Sequence, residues 1–292
     1  MKANIKKIAL LAGIAIFLAS GLISVKFFST SKTANTKVSG MYFGNQEWGG
    51  EIAVTGDTEI IGNLTVSPGT VVKFVVGDDR GRGDEVEKDG FNDNDPTRLR
   101  SYTATHSSLF VFRKLIAQGT KEKNIVFTSA AMEPRLADWE SIVFRGDGSI
   151  VDNVVVEYSR NGLNPMGSQP NSVIKNSVVR HALWGTISSA NSSIKIINNY
   201  LSDAGHEGID LAYKTEQIVR GNTIEDCHTG IAAMDGSAII ENNTIRNCGD
   251  GIFINKGASP KVYNNTIVIA PADSKREWRY DNYVIPIFSD PE

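Results

Sequence analysis

From residue 150 onward the chain repeats one arrangement of apolar and polar positions: an aliphatic, an Asn three residues later, and a second aliphatic two residues after that. The sets are Ile150, Asn153 and Val155; Val173, Asn176 and Val178; Ile196, Asn199 and Leu201; Val219, Asn222 and Ile224; Ile240, Asn243 and Ile245; and Val262, Asn265 and Ile267. The Asn residues lie 23, 23, 23, 21 and 22 positions apart. Within each set the aliphatics are five apart, an odd number, so a continuous strand would send them to opposite sides. Both stay in one core only if the chain bends near the Asn. Asn suits such a bend, since it tolerates left-handed backbone angles and its amide bonds locally. Repeated in every coil, the amides are predicted to bond one another along a stack. A Gly also recurs, at Gly162, Gly185, Gly208, Gly230 and Gly251, followed by Leu163, Thr186, Ile209, Ile231 and Ile252. It predicts a second bend, where a positive φ is free of penalty. Short strands between two bends, closed by a third connection of variable length, make one coil of an all-β solenoid.

The N-terminus follows a different pattern. After Lys2, Lys6 and Lys7 no charge occurs from Ile8 to Val25, which predicts an export segment: either a cleaved signal peptide, cut near Ala19 to Gly21, or an uncleaved transmembrane anchor. The basic residues before it favour an N-terminus inside and the bulk of the chain outside the cytoplasm. The organisation read from the sequence is then a signal anchor or signal peptide over 1–28, a tether over 29–39, an N-terminal cap and first coils over 40–76, an acidic insertion over 77–108, coils over 109–270, and a C-terminal cap or tail over 271–292. Gly40 to Glu51 with Trp48, and the tail with Trp278, Tyr280, Tyr283 and Phe288, are the expected caps. Composition adds two exclusions. The 30 basic and 33 acidic side chains nearly cancel, which excludes a nucleic-acid binder working through overall charge, and two Cys exclude a disulfide scaffold.

The run from Asn243 to Ile252, Asn-Asn-Thr-Ile, a turn, then Gly-Ile, resembles the right-handed parallel β-helix repeat of the pectin-lyase-like superfamily. The resemblance is strongest over 142–269. Gly62 to Phe74, Leu115 to Ser129 and Trp139 to Phe144 are similar to early coils of exported members. It implies a right-handed parallel β-helix of about nine coils rising about 4.8 Å each. The superfamily spans polysaccharide lyases, glycosidases and epimerases, tailspikes, adhesins and the copper-enzyme accessory proteins of nitrous oxide reduction, so the fold does not select a function.

Two clusters carry candidate chemistry. From Asp78 to Asp95 eight acids stand against three bases, five net negative charges in eighteen residues. Glu85, Glu87, Asp89 and Asp93 fall near calcium-loop positions, with Asp95 beside them, although Pro96 occupies the position of the closing Glu. The stretch reads as a calcium site or as a solvated acidic loop. The second cluster is Asp203, His206, Glu207 and Asp210, with Arg180, His181 and Trp184 one coil back and Asp226 and His228 one coil on. A uronate lyase or epimerase needs a base for the proton beside a carboxylate and a cation to neutralise that carboxylate. His206 is the candidate base. Glu157, Arg180, Asp203 and Asp226 align as one outward file, whose alternative reading is cross-strand pairs of small value. No Asn-Thr-Asp or Arg-Ile-Lys signature occurs, which counts against a polygalacturonase. Cys227 and Cys248, one coil apart in a column of small residues with Ser159, Ala182 and Gly205, have a spacing that permits a disulfide, and the column suits buried thiols better.

Together these features predict an extracytoplasmic, membrane-anchored or secreted β-helix that binds a polysaccharide or another cell-surface partner without catalysis. The alternatives are a calcium-assisted polysaccharide lyase or uronate epimerase, and a metalloenzyme-maturation protein similar to the nitrous oxide reductase accessory family.

Overall fold

Short strands with alternating side chains wind around one interior, and three columns of aliphatics fill it. Ala117, Val151, Ile174, Ile196, Val219 and Ile240 form the first. Phe127, Val156, Val179, Leu201, Ile224 and Ile245 form the second, and Leu109, Ile142, Leu163, Ile187, Ile209 and Ile231 the third, all buried. The computed structural model describes residues 36–76, 106–213 and 216–271, and these make a parallel solenoid of nine turns with no helix among them. Face 1 carries nine short strands, from Gln46–Trp48 through Ile150–Asp152 and Lys195–Ile197 to Lys261–Tyr263. Face 2 runs from the first half of Glu51–Ile61 through Val154–Glu157 and Tyr200–Ala204 to Thr266–Ile269. Face 3 runs from the second half of Glu51–Ile61 through Trp139–Phe144 and Glu207–Ala212 to Asp250–Ile254.

The first described strand, Thr36–Phe43, begins inside the stretch read as a tether and pairs in parallel with Glu51–Ile61. The apolar segment at 1–28 and the tail at 272–292 lie outside the described residues. In the last described turn the core columns meet solvent: Ile245 is 0% exposed, whereas Ile267 beneath it is 42% exposed.

The bend between faces 1 and 2 is left-handed, as expected, with φ between 49° and 67° at Asn153, Asn176, Asn198, Gly221, Asn242 and Asn264. The residue after it turns inward. Asn199, Asn222, Asn243 and Asn265 form the expected ladder: Asn222 Nδ2 donates to Asn243 Oδ1 at 2.9 Å and to the Ile196 carbonyl at 2.9 Å, while Asn222 Oδ1 accepts the Asn199 backbone N–H at 2.9 Å. The structure corrects the register in two coils. Asn153 and Asn176 occupy the left-handed position, and the ladder position there is Val154 and Ser177. Ile150, Val155, Val173 and Val178 are accordingly not the inward aliphatics; Val151, Val156, Ile174 and Val179 are. Runs of consecutive valines satisfy either register from sequence alone.

The recurring Gly needs a second correction. Gly162, Gly208, Gly230 and Gly251 stand in one column with ordinary φ, and Thr186, not Gly185, fills it in the remaining coil. Space is the reason for Gly here: a Cβ on Gly230 would come within 2.5 Å of Ile245 Cγ2 and 2.6 Å of the Gly251 carbonyl oxygen. The second bend belongs to other residues, Tyr158, His181, Asp203, Asp226 and Asn247, with φ from 54° to 64°.

Asn222→Leu is expected to destabilise the protein by about 2–4 kcal/mol, because buried donors and acceptors in both neighbouring coils lose their partners. Chemical denaturation of the two proteins measures it, and an unchanged midpoint would contradict the inward ladder. Gly230→Ala is expected to destabilise by about 1–3 kcal/mol through overpacking against Ile245. A glycine serving only as a hinge with ordinary φ would instead tolerate Ala.

Candidate functional site

The corner between faces 2 and 3 gathers most of the candidate chemistry. The chain leaves it at Val76 and returns at His106, so the acidic insertion is rooted there. Glu85, Glu87, Asp89, Asp93 and Asp95 lie outside the described residues. Further down the corner the left-handed residues form their own file. The rings of Tyr158 and His181 stack at 5.0 Å, His181 Nδ1 meets Asp203 Oδ2 at 2.6 Å, and Asn247 Nδ2 donates to Asp226 Oδ1 at 2.5 Å.

Just past that bend, flat side chains from successive coils lie on one another. The Arg160 guanidinium sits 5.9 Å from the Trp184 ring. Trp184 and His206 stack at 4.2 Å, nearly parallel at 7°, and His206 and His228 follow at 5.6 Å. In-register coils bring equivalent positions to about 4.8 Å, so planar groups in one column stack without further design. Arg160 Nη1 also bonds Glu140 Oε1 at 2.9 Å in a largely buried ion pair, and His206 Nδ1 rests against Glu207 Oε1.

This side of the solenoid lies within the segment 123–268, which matches the family model described as the right handed beta helix region. The chain belongs to the right-handed β-helix family. Among curated proteins no sequence matches it. Solved structures of the periplasmic alginate epimerase AlgG match this β-helix at 11% identity, over 80% of this chain and 76% of that one, with a TM-score of 0.39. A mutant of the same epimerase gives 11% identity, the same coverage and a TM-score of 0.38. At that identity and score the likeness carries nothing about chemistry.

In this β-helix the six residues singled out for catalysis fall in three places. His206, Glu207, Asp210 and His228 share face 3. Arg180 does not join them: it lies on face 2 and pairs with Glu157 at 2.9 Å. Asp203 belongs to the bend, against His181. The outward file expected through Glu157, Arg180, Asp203 and Asp226 is therefore Glu157, Arg180, Ser202, Glu225 and Arg246, since the register shifts by one after Arg180. Its ion pairs, Arg180 with Glu157 and Arg246 with Glu225, are those of an exposed surface. Two participants in the stack were not singled out from sequence, Glu140 and Arg160. Arg160 stands two residues before Gly162, as His206 and His228 stand two before Gly208 and Gly230, so the spacing contained a signal; Glu140 carried none.

Glu207 is buried and Asp210 half-buried, and one oxygen of each carboxyl is held away from water. Asp210 Oδ1 and Glu207 Oε2 are buried with no hydrogen bond among the described residues. Burial first, and then the negative charge of Glu207, push the Asp210 carboxyl well above the ordinary carboxylate range. Cys227 and Cys248 are free thiols in the core. Their column holds Ala182 and Ala204 rather than Gly205, and the neighbouring Cys248 thiol, followed by burial, raises the Cys227 thiol well above its usual value.

A carboxyl whose folded pKa is raised contributes most below its unfolded value and loses that contribution as pH climbs toward the folded value. Asp210→Asn is therefore expected to raise the melting temperature near neutral pH, with the difference shrinking to nothing as pH falls below the ordinary Asp range. Equal melting temperatures at every pH would show that Asp210 is ionised and well solvated.

Proposed function

We propose that this β-helix is an extracytoplasmic protein, anchored or exported through its N-terminal apolar segment, that holds a polysaccharide or another cell-surface partner without turning it over. The observation that supports this reading is the enclosure of His206. A base acting on a uronate must bring a ring nitrogen to the proton beside the carboxylate. The His206 side chain is 4% exposed, Trp184 and His228 cover its two ring faces, and Glu207 occupies Nδ1. Freeing it would dismantle a stack that runs through four coils. The nearby cations are also engaged, Arg160 by Glu140 and Arg180 by Glu157.

One observation favours a second reading, a calcium-assisted uronate lyase or epimerase. Carboxyls with raised pKa values concentrate at catalytic sites, and Asp210 beside Glu207 would supply a carboxyl that keeps its proton above the ordinary carboxylate range. Calcium on Glu85, Glu87, Asp89, Asp93 and Asp95 would then neutralise the substrate carboxylate.

The experiment incubates the full chain with a panel of acidic and neutral polysaccharides, with and without calcium, and follows binding, chain length and uronate composition. The expected result is binding at micromolar concentration with every chain unchanged. Shortened, unsaturated or epimerised chains would establish the second reading, above all if His206→Ala or removal of calcium abolished the change. Absence of binding both across the panel and to envelope proteins offered at micromolar concentration would overturn the first.

A further inference from the structure

The bend between faces 1 and 2 is tight in most coils and longer in two, at residues 67–70 and, longest, at 119–124. Between Leu115–Gln118 and Ile125–Ser129 the chain makes a loop, residues 119–124, that projects over the bend below it. The loop is braced. Thr120 and Lys123 exchange backbone hydrogen bonds of 3.1 Å, the Gly69 N–H donates to the Lys123 carbonyl at 3.2 Å, and the Gly119 N–H donates to the Asp152 carbonyl at 2.8 Å. Beneath this overhang a groove of about 620 Å³ runs down the corner, lined by Lys121, Asn124, Asn153, Asn176, Asn198 and Tyr200 among others.

The lining is oriented before any ligand arrives. Asn153 Nδ2 and Asn176 Nδ2 both donate to Asp152 Oδ1 at 2.9 Å, and Lys175 holds the other Asp152 oxygen at 3.3 Å. Each of these amides keeps its carbonyl oxygen and one N–H for a ligand. The Asn198 amide makes no side-chain hydrogen bond among the described residues, and Tyr200 is 40% exposed at the lower end of the groove. Lys121 places a cation at the upper end.

We propose that this groove is a glycan-binding site for an extended pyranose chain lying along the solenoid axis, with a carboxylate-bearing residue beside Lys121; the proposal rests on the binding function proposed above. Paired acceptor and donor atoms on an amide match vicinal hydroxyls, and a half-exposed Tyr ring offers the flat face against which pyranose C–H groups pack. The amides recur once per coil at about 4.8 Å, close to the advance of one sugar ring along an equatorially linked chain, so successive sugars meet successive Asn residues. An open groove with a polar lining suits a hydrated polymer better than an apolar small molecule. Face 2 separates this site from the stack at the start of face 3, and the site uses none of the stack's residues.

The test measures binding of β-1,4-oligoglucuronate and of cello-oligosaccharides, which share its equatorial linkage and lack its carboxylate, to the full chain by calorimetry. Asn198→Gly removes an amide while keeping the left-handed φ of 55° available, and Tyr200→Ser removes the ring. Both are expected to raise Kd at least about tenfold for each ligand that the unaltered chain binds, with the melting temperature retained. Lys121→Gln is expected to weaken β-1,4-oligoglucuronate alone. Asn247→Gly, an equivalent change at the other bend, is expected to leave every Kd unaltered. If the unaltered chain binds and the groove variants bind equally well, the groove is not the site although the binding function stands. If the unaltered chain binds neither ligand, while other polysaccharides of the panel are bound, the proposed ligand class is wrong; if it binds an envelope protein and no polysaccharide, the groove proposal falls and the binding function stands; if it binds neither kind of partner, both proposals fall together.

Discussion

The inward amide at the bend between faces 1 and 2 is the interaction on which the rest of the solenoid depends. Turning a chain between two faces of a narrow solenoid leaves backbone N–H and C=O groups facing the interior, where no water reaches them. Asn222 resolves this in three coils at once: its oxygen takes the backbone N–H of Asn199, and its NH₂ serves Ile196 one coil back and Asn243 one coil on. Each amide is therefore useful only if its neighbours are present, which makes the ladder cooperative along the stack. Where the chain lacks the Asn the function passes to a hydroxyl, as Ser177 Oγ accepts from the Val154 N–H at 3.1 Å and donates to the Lys175 carbonyl at 2.7 Å.

Fixing that corner fixes the register of all three faces. A slip by one residue would take an Asn out of the ladder and turn the adjacent aliphatic column outward, two losses for one displacement. With register held, everything outside inherits the period of the coil. Exposed ion pairs line up on face 2, left-handed residues line up at the second bend, and the flat side chains of Arg160, Trp184, His206 and His228 fall into a stack on face 3.

How much of this the sequence carried depended on whether a position was chemically unique. Asn199, Asn222, Asn243 and Asn265 were readable as a ladder because an amide beside a left-handed residue has few substitutes. The upstream coils were not readable to the residue: Val154, Val155 and Val156 fit the core in either register, and only cross-strand pairing decides between them. The glycine column was visible, but its cause was not, since sequence cannot distinguish a position that needs an unusual φ from one that needs the room of a missing Cβ. The second bend was expected at the glycine column and lies a few residues before it, where Tyr158, His181, Asp203, Asp226 and Asn247 share no single residue type that would mark the position. Face 3 suffered from the same one-residue slip, which put Gly185 into the glycine column in place of Thr186 and so hid that Trp184 shares a column with His206.

The stacking that makes face 3 orderly also limits what it can do. Catalysis asks for a group that can approach a reacting atom and exchange a proton with it, whereas an imidazole between an indole and a second imidazole has surrendered both ring faces to its neighbours. Recognition of a polymer asks for the opposite quality: groups held still, repeated at a fixed step, and open along one direction. The corner beneath residues 119–124 has that quality because it is made of the same bend repeated, with its amides tied to Asp152 and its loop tied to Gly69. A solenoid therefore divides its exterior by how the repeat presents side chains: columns that meet face to face become structural, and columns that stand apart at the step of the coil become a ruler against which another periodic chain can lie.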